Sequence, residues 1–116
     1  MKVQLQEQTL RLRIDEAELA QLLAGGLVGN RTRWPDGRME RHELILGPAS
    51  AWQRLDEGWR VTWGDADVRA LAARLPSRDG LTLSLQTPDA DALELLLDVD
   101  VRDSVRHRRH DKEGRA

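Results

Sequence analysis

The chain of 116 residues has no cysteine, no tyrosine, no phenylalanine and only four prolines. The missing cysteine excludes disulfides, thiolate metal sites and cysteine nucleophiles, and leaves a reducing compartment open. Because Phe and Tyr are absent, Trp34, Trp52, Trp59 and Trp63 supply all the aromatic surface, as core or interface anchors. No segment approaches the ~18 consecutive apolar residues of a membrane helix. The opening MKVQLQEQ lacks the apolar stretch of a secretory signal. The expectation is a cytoplasmic protein.

Charge is abundant and nearly balanced, with 18 basic and 20 acidic residues. The balance hides a split, because residues 102–116 carry a net of +3 and residues 1–101 a net of -5. An acidic body argues against general nucleic-acid binding, which draws its affinity from neutralising phosphates. The expected organisation is one α+β domain over residues 1–101, followed by a mobile basic tail over 102–116 that has too little apolar surface to fold.

The pattern along the chain turns on residues 9–26. Leu10, Leu12 and Ile14 alternate with Arg11 and Arg13, the period of a strand with one buried face. Asp15 then stands where a helix N-cap belongs, with Glu18 three residues on in a capping-box spacing. Leu19, Leu22 and Leu23 form an apolar stripe that ends at Gly25-Gly26. Val3 and Leu5 have the opposite parity to Leu10 and Leu12, so a turn near Glu7 and Gln8 is required between two strands. Pro35-Asp36-Gly37 marks a turn into a long strand, Arg38 to Leu46. Neither face of the first half of that strand is apolar, which predicts that this end sits at an edge or is solvated on both sides.

Asp56-Glu57-Gly58 separates two further strands, and Gly64-Asp65 repeats the opening device of a strand running into a capped helix. Val68, Leu71, Ala72 and Leu75 give the second apolar stripe. Leu81, Leu83 and Leu85 alternate with Thr82 and Ser84, and Leu93 to Val101 alternate again as a closing strand. The predicted order is ββαββββαββ, in two layers, with a mostly antiparallel sheet carrying both helices on one face. The halves echo one another loosely, with too few matching residues to establish a duplication.

These stretches carry a resemblance. MKVQLQEQTLRLRIDEAEL with GLVGNRTRWPDGR, EGWRVTWGDADVRALAARL and LELLLDVDVRD resembles a family of short uncharacterised bacterial proteins, a domain of unknown function. Its members open with an Arg-Leu-Arg-Leu strand followed by a capped helix and a glycine turn. The resemblance implies the α+β fold and supplies no activity. Where that family often has an aromatic residue and a cysteine near the closing strand, this chain has Val101 and Asp103.

Candidate chemistry centres on Arg11 and Arg13. Alternate strand positions lie roughly 6 to 7 Å apart, close enough for two guanidinium forks to hold one carboxylate or phosphate. Arg31 and Arg33 repeat the spacing and would join them if their strands pair. The competing reading is a solvated arginine face paired with Glu40, Glu43 or other acids. Asp98 and Asp100 share a strand face and suit either a divalent cation or arginine partners.

His107 and His110 have a helical spacing but no third ligand, so no metal site and no cofactor is indicated. Gly25 to Gly29 follows a helix, whereas a phosphate loop must precede one, and no serine sits in a nucleophile elbow. Trp34 and the tail residues Arg106, Arg108 and Arg109 are candidate interaction residues, and the Arg38 to Leu46 edge is a candidate for strand addition by a partner or a second copy. The leading function class is a small non-enzymatic binding or protein-interaction module. The alternative is an anion-binding or enzymatic domain that uses the arginine face.

Overall fold

The structure, a computed structural model, describes residues 1–101. The candidates Arg106, Arg108, Arg109, His107 and His110 lie outside the described residues. The strands are β1 (Lys2–Gln6), β2 (Thr9–Asp15), β3 (Val28–Arg33), β4 (Met39–Gly47), β5 (Ala51–Leu55), β6 (Gly58–Gly64), β7 (Leu81–Gln86) and β8 (Ala92–Asp100). The helices are α1 (Glu16–Leu23), between β2 and β3, and α2 (Asp65–Ala73), between β6 and β7. The element order is the predicted one.

The layering differs from the single sheet expected. Two four-stranded sheets form, sheet A in the order β1-β2-β8-β7 and sheet B in the order β3-β4-β6-β5. Each is mixed, with a parallel central pair, β2 with β8 and β4 with β6, and an antiparallel hairpin partner on either side. Side-chain periodicity reports which face of a strand is buried and is silent about which strand lies next to it. Each helix hands the chain from one sheet to the other and packs against strands of both. A single core joins Leu10, Leu12, Ile14, Leu95, Leu97 and Val99 of sheet A to Val28, Leu44, Val61 and Trp63 of sheet B, with Leu19 and Leu22 of α1 and Val68 and Leu71 of α2.

β4 is an inner strand, hydrogen-bonded to β3 and β6, so the edge predicted for Arg38 to Leu46 is not there. Its polar first half has local partners instead. His42 stacks on Trp59 at 4.5 Å with Nε2 2.6 Å from Glu40, and Glu43, only 8% exposed, accepts from Arg60.

The echo between halves becomes a two-fold repeat once pairings are compared. Residues 2–23 correspond to 51–72 and residues 28–47 to 81–100, and every ladder keeps its register under this mapping. Lys2↔Arg13 matches Ala51↔Thr62, Leu12↔Leu97 matches Val61↔Leu44, and Val28↔Leu44 matches Leu81↔Leu97. Buried Leu19 and Leu22 match buried Val68 and Leu71. Even the turns agree, since Trp34 donates to the Arg38 carbonyl as Thr87 does to that of Asp91, with Gly37 and Ala90 both at positive φ.

The helix ends follow local chemistry. Asp15 accepts from the Glu18 amide at 2.7 Å and Glu18 accepts from the Asp15 amide at 3.1 Å, a complete capping box. Gly26 N–H donates to the Gln21 carbonyl and Gly25, at φ +90, to that of Leu22, the two bonds of a Schellman end. The second helix departs from expectation, because its N-cap Gly64 has no side chain and Asp65 is already helical, bonded to Arg69. Asp15→Ala is therefore expected to cost about 1 kcal/mol in a urea titration. An unchanged midpoint would show that the box contributes nothing.

Candidate functional site

A concavity of about 950 Å³ lies at the C-terminal end of the parallel pair β2 and β8, under the connection from α2 to β7. Arg11 and Arg13 form part of its wall, so both leading sequence candidates face it. Arg31 and Arg33 do not join them, because β3 belongs to sheet B. Arg31 lines a separate cavity with Arg41 and Glu43, and Arg33 donates to the Gly37 carbonyl at 2.8 Å.

Arg11 and Arg13 flank one carboxylate. Asp98 Oδ2 is 3.3 Å from Arg11 Nε and 4.0 Å from Arg13 Nε. Arg11 Nε is sealed from solvent and makes no hydrogen bond. The acid partner of the competing reading is thus present, supplied by Asp98 and not by Glu40 or Glu43.

The repeat separates what the fold requires from what this site adds. Arg11 corresponds to Arg60, which bonds Glu43 at 2.9 Å across the parallel pair of sheet B as Arg11 faces Asp98 across that of sheet A. An arginine at this position braces the two inner strands in both halves. Glu18 is matched by the acid Asp67, but Lys2, Arg13, Asp15 and Asp100 stand where sheet B has Ala51, Thr62, Gly64 and Gly47.

The connection over the cavity departs as well. Residues 73–80 occupy the place of 24–27, four residues more, and they contribute Leu75, Ser77, Arg78, Asp79 and Gly80 to the lining. Gly80 lets this loop lie on β8, since a Cβ there would meet the Leu97 carbonyl oxygen at 2.1 Å. Sequence periodicity could not show this site, because its parts come from five elements and one loop. An alignment of the two halves with a four-residue gap would have found it.

Acids and bases are mixed in the lining. Of the five acids, Asp15 caps α1, Glu18 pairs with the chain's amino group, Asp98 is shared by Arg11 and Arg13, and Asp79 and Asp100 complete the set. Lys2 and Arg78 have no ion-pair partner among the described residues. Lys2, Arg78 and the half-exposed Arg13 are the cationic groups that an anionic group entering the cavity would meet.

Among the described residues no group of His, Asp or Glu is placed to hold a metal ion, and no helix is long and apolar enough to cross a membrane. Trp34 is 49% exposed on the β3–β4 turn, whereas Trp63 is buried in the core. Trp52 carries the Arg54 guanidinium 4.8 Å above its ring. No protein-family model matches the chain, and no curated protein sequence matches it.

Proposed function

We propose that this protein is a small binding module that holds a ligand's anionic group in the cavity between Arg13, Lys2 and the α2–β7 connection. The observation that carries this reading is the convergence of two departures from the internal repeat on one place. Besides the helix cap Asp15, charges replace small residues at three matched positions, Lys2, Arg13 and Asp100, and the lengthened loop roofs the same end of the same strand pair. A requirement of the fold would appear in both halves; a ligand site needs to be built only once. Guanidinium and ammonium groups hold anions by charge and hydrogen bonds, and arginine does not exchange its proton at ordinary pH. The role assigned to them is therefore binding.

The chain is further proposed to belong with the short bacterial proteins it resembles. The Arg11-Leu12-Arg13 strand leading into a capped helix supports this, and residues 1–101 form the single domain that its one core implies.

Inorganic phosphate and citrate are suitable probes by calorimetry. Arg13→Ala is expected to weaken binding about tenfold or more, the effect of one charge-assisted hydrogen bond. Thr62→Ala, at the matched position of sheet B, should leave it unchanged. Failure of both probes to bind, or equal effects of the two substitutions, overturns the reading.

A further inference from the structure

The same internal comparison exposes a second asymmetry, in residues that do not line the cavity. On the inner face of sheet A, toward its hairpin ends, stand Leu5, Leu83, Leu85 and Leu93. The matched positions of sheet B hold Arg54, Asn30, Thr32 and Glu40. The backbone at these places accepts polar residues, so the leucines are not imposed by the fold. They are also incompletely covered, and Leu5 is 69% exposed.

The edge strand beside them, unpaired on its outer side among the described residues, differs in the same sense. β3, an edge of sheet B, carries Arg31 and Arg33, the kind of charge that discourages strand pairing. Its counterpart β7, an edge of sheet A, reads LTLSLQ, with no charge, proline or glycine. An edge of this kind offers backbone N–H and C=O groups to another strand.

We propose that two copies of the chain associate by antiparallel pairing of β7 with β7 about Leu83. The strand is complementary to itself in that register. Leu81 meets the partner's Leu85, Thr82 meets the partner's Ser84, and Leu83 meets the partner's Leu83, so apolar residues align on one face and hydroxyls on the other. The ends agree in charge. Arg78 is brought to the partner's Pro88-Asp89 turn, and neither Arg78 nor Asp89 has an ion-pair partner among the described residues. Pairing joins the two A sheets into one and gathers the partly buried leucines of both copies, with the exposed Leu5, on a common face.

Thr82 and Ser84 are exposed, so charges placed there test the contact without entering the core. By sedimentation, the wild type is expected to dimerise with rising concentration. A Thr82→Lys/Ser84→Lys variant and a Thr82→Glu/Ser84→Glu variant should each be monomeric, and their equimolar mixture should dimerise again, because lysine then faces glutamate in the proposed register. A monomeric wild type, a lysine variant that still dimerises, or a mixture that stays monomeric overturns the proposal. Leu83→Cys gives an independent readout in a chain without other cysteines. Directly opposed strand residues lie about 4.5 to 5.5 Å apart at Cα, within disulfide reach. Oxidation should yield a covalent dimer, and a chain that remains single overturns the register.

Discussion

Leu12→Ala, a truncation in sheet A, is expected to lower stability by about 2–5 kcal/mol and to move the unfolding midpoint equally in far-UV circular dichroism and in tryptophan fluorescence. Leu12 is fully buried, paired with Val3 on one side and Leu97 on the other, so the truncation leaves a void that a parallel strand pair closes poorly. The loss is a large share of the roughly 5–15 kcal/mol that holds a domain together.

The choice of probe gives the experiment its force. Trp52, Trp59 and Trp63 lie in strands of sheet B, and Trp34 lies on the β3–β4 turn. Fluorescence therefore reports sheet B, while the substitution is made in sheet A. Because α1 and α2 each pack against both sheets over one shared core, damage to one sheet should unfold the other at the same urea concentration. A fluorescence midpoint that stays put while the dichroism moves would mean two independently folding sheets.

Strand and helix identities were legible because they depend on spacing. Leu10, Leu12 and Ile14 against Arg11 and Arg13, or Val68 with Leu71, report a buried side whatever lies opposite. Partnership does not travel in spacing. The first half of β4 reads as an edge because Glu40, His42 and Glu43 are polar, yet these residues sit inside a sheet, satisfied by one another, by the Trp59 ring and by Arg60. The same limit hid the separation of Arg31 and Arg33 from Arg11 and Arg13, since matching spacings on two strands do not make the strands neighbours.

The repeat was dim for a related reason. Under the structural mapping seven pairs are identical: Gln4/Gln53, Arg11/Arg60, Ala17/Ala66, Leu22/Leu71, Pro35/Pro88, Asp36/Asp89 and Leu44/Leu97. Core positions accept any apolar side chain of suitable volume, so Leu12 can answer Val61 and Ile14 can answer Trp63 without leaving an identity. What persists includes a proline-aspartate turn, one helix leucine, one strand leucine and the bracing arginine. The site was half legible. Arg11 and Arg13 stand out from sequence, but only the comparison of halves shows that Arg11 is required by the fold and Arg13 is not.

That distinction makes the pair of Arg60 and Glu43 the sharpest energetic test of the bracing role. Glu43 is 8% exposed, and both Nε and Nη2 of Arg60 donate to its Oε1, at 3.2 and 2.9 Å. Arg60→Ala would leave a buried carboxylate with Arg41 Nη1, 4.0 Å away, as its remaining cation. Breaking a buried pair by removing one partner costs about 3–5 kcal/mol, and the residual Arg41 contact places the expected loss at the lower end, near 3 kcal/mol.

Glu43→Leu should behave differently, because it installs the residue that the matched position, Leu96, already carries beside Arg11, and because the freed Arg60 side chain, 32% exposed, can turn to water. Its expected cost is smaller, about 1–2 kcal/mol, because the charge left without its partner is one that water can reach. Chemical denaturation of the two variants decides the matter. An Arg60→Ala variant as stable as Glu43→Leu would show that the carboxylate finds other partners and that the arginine common to both halves is not a brace.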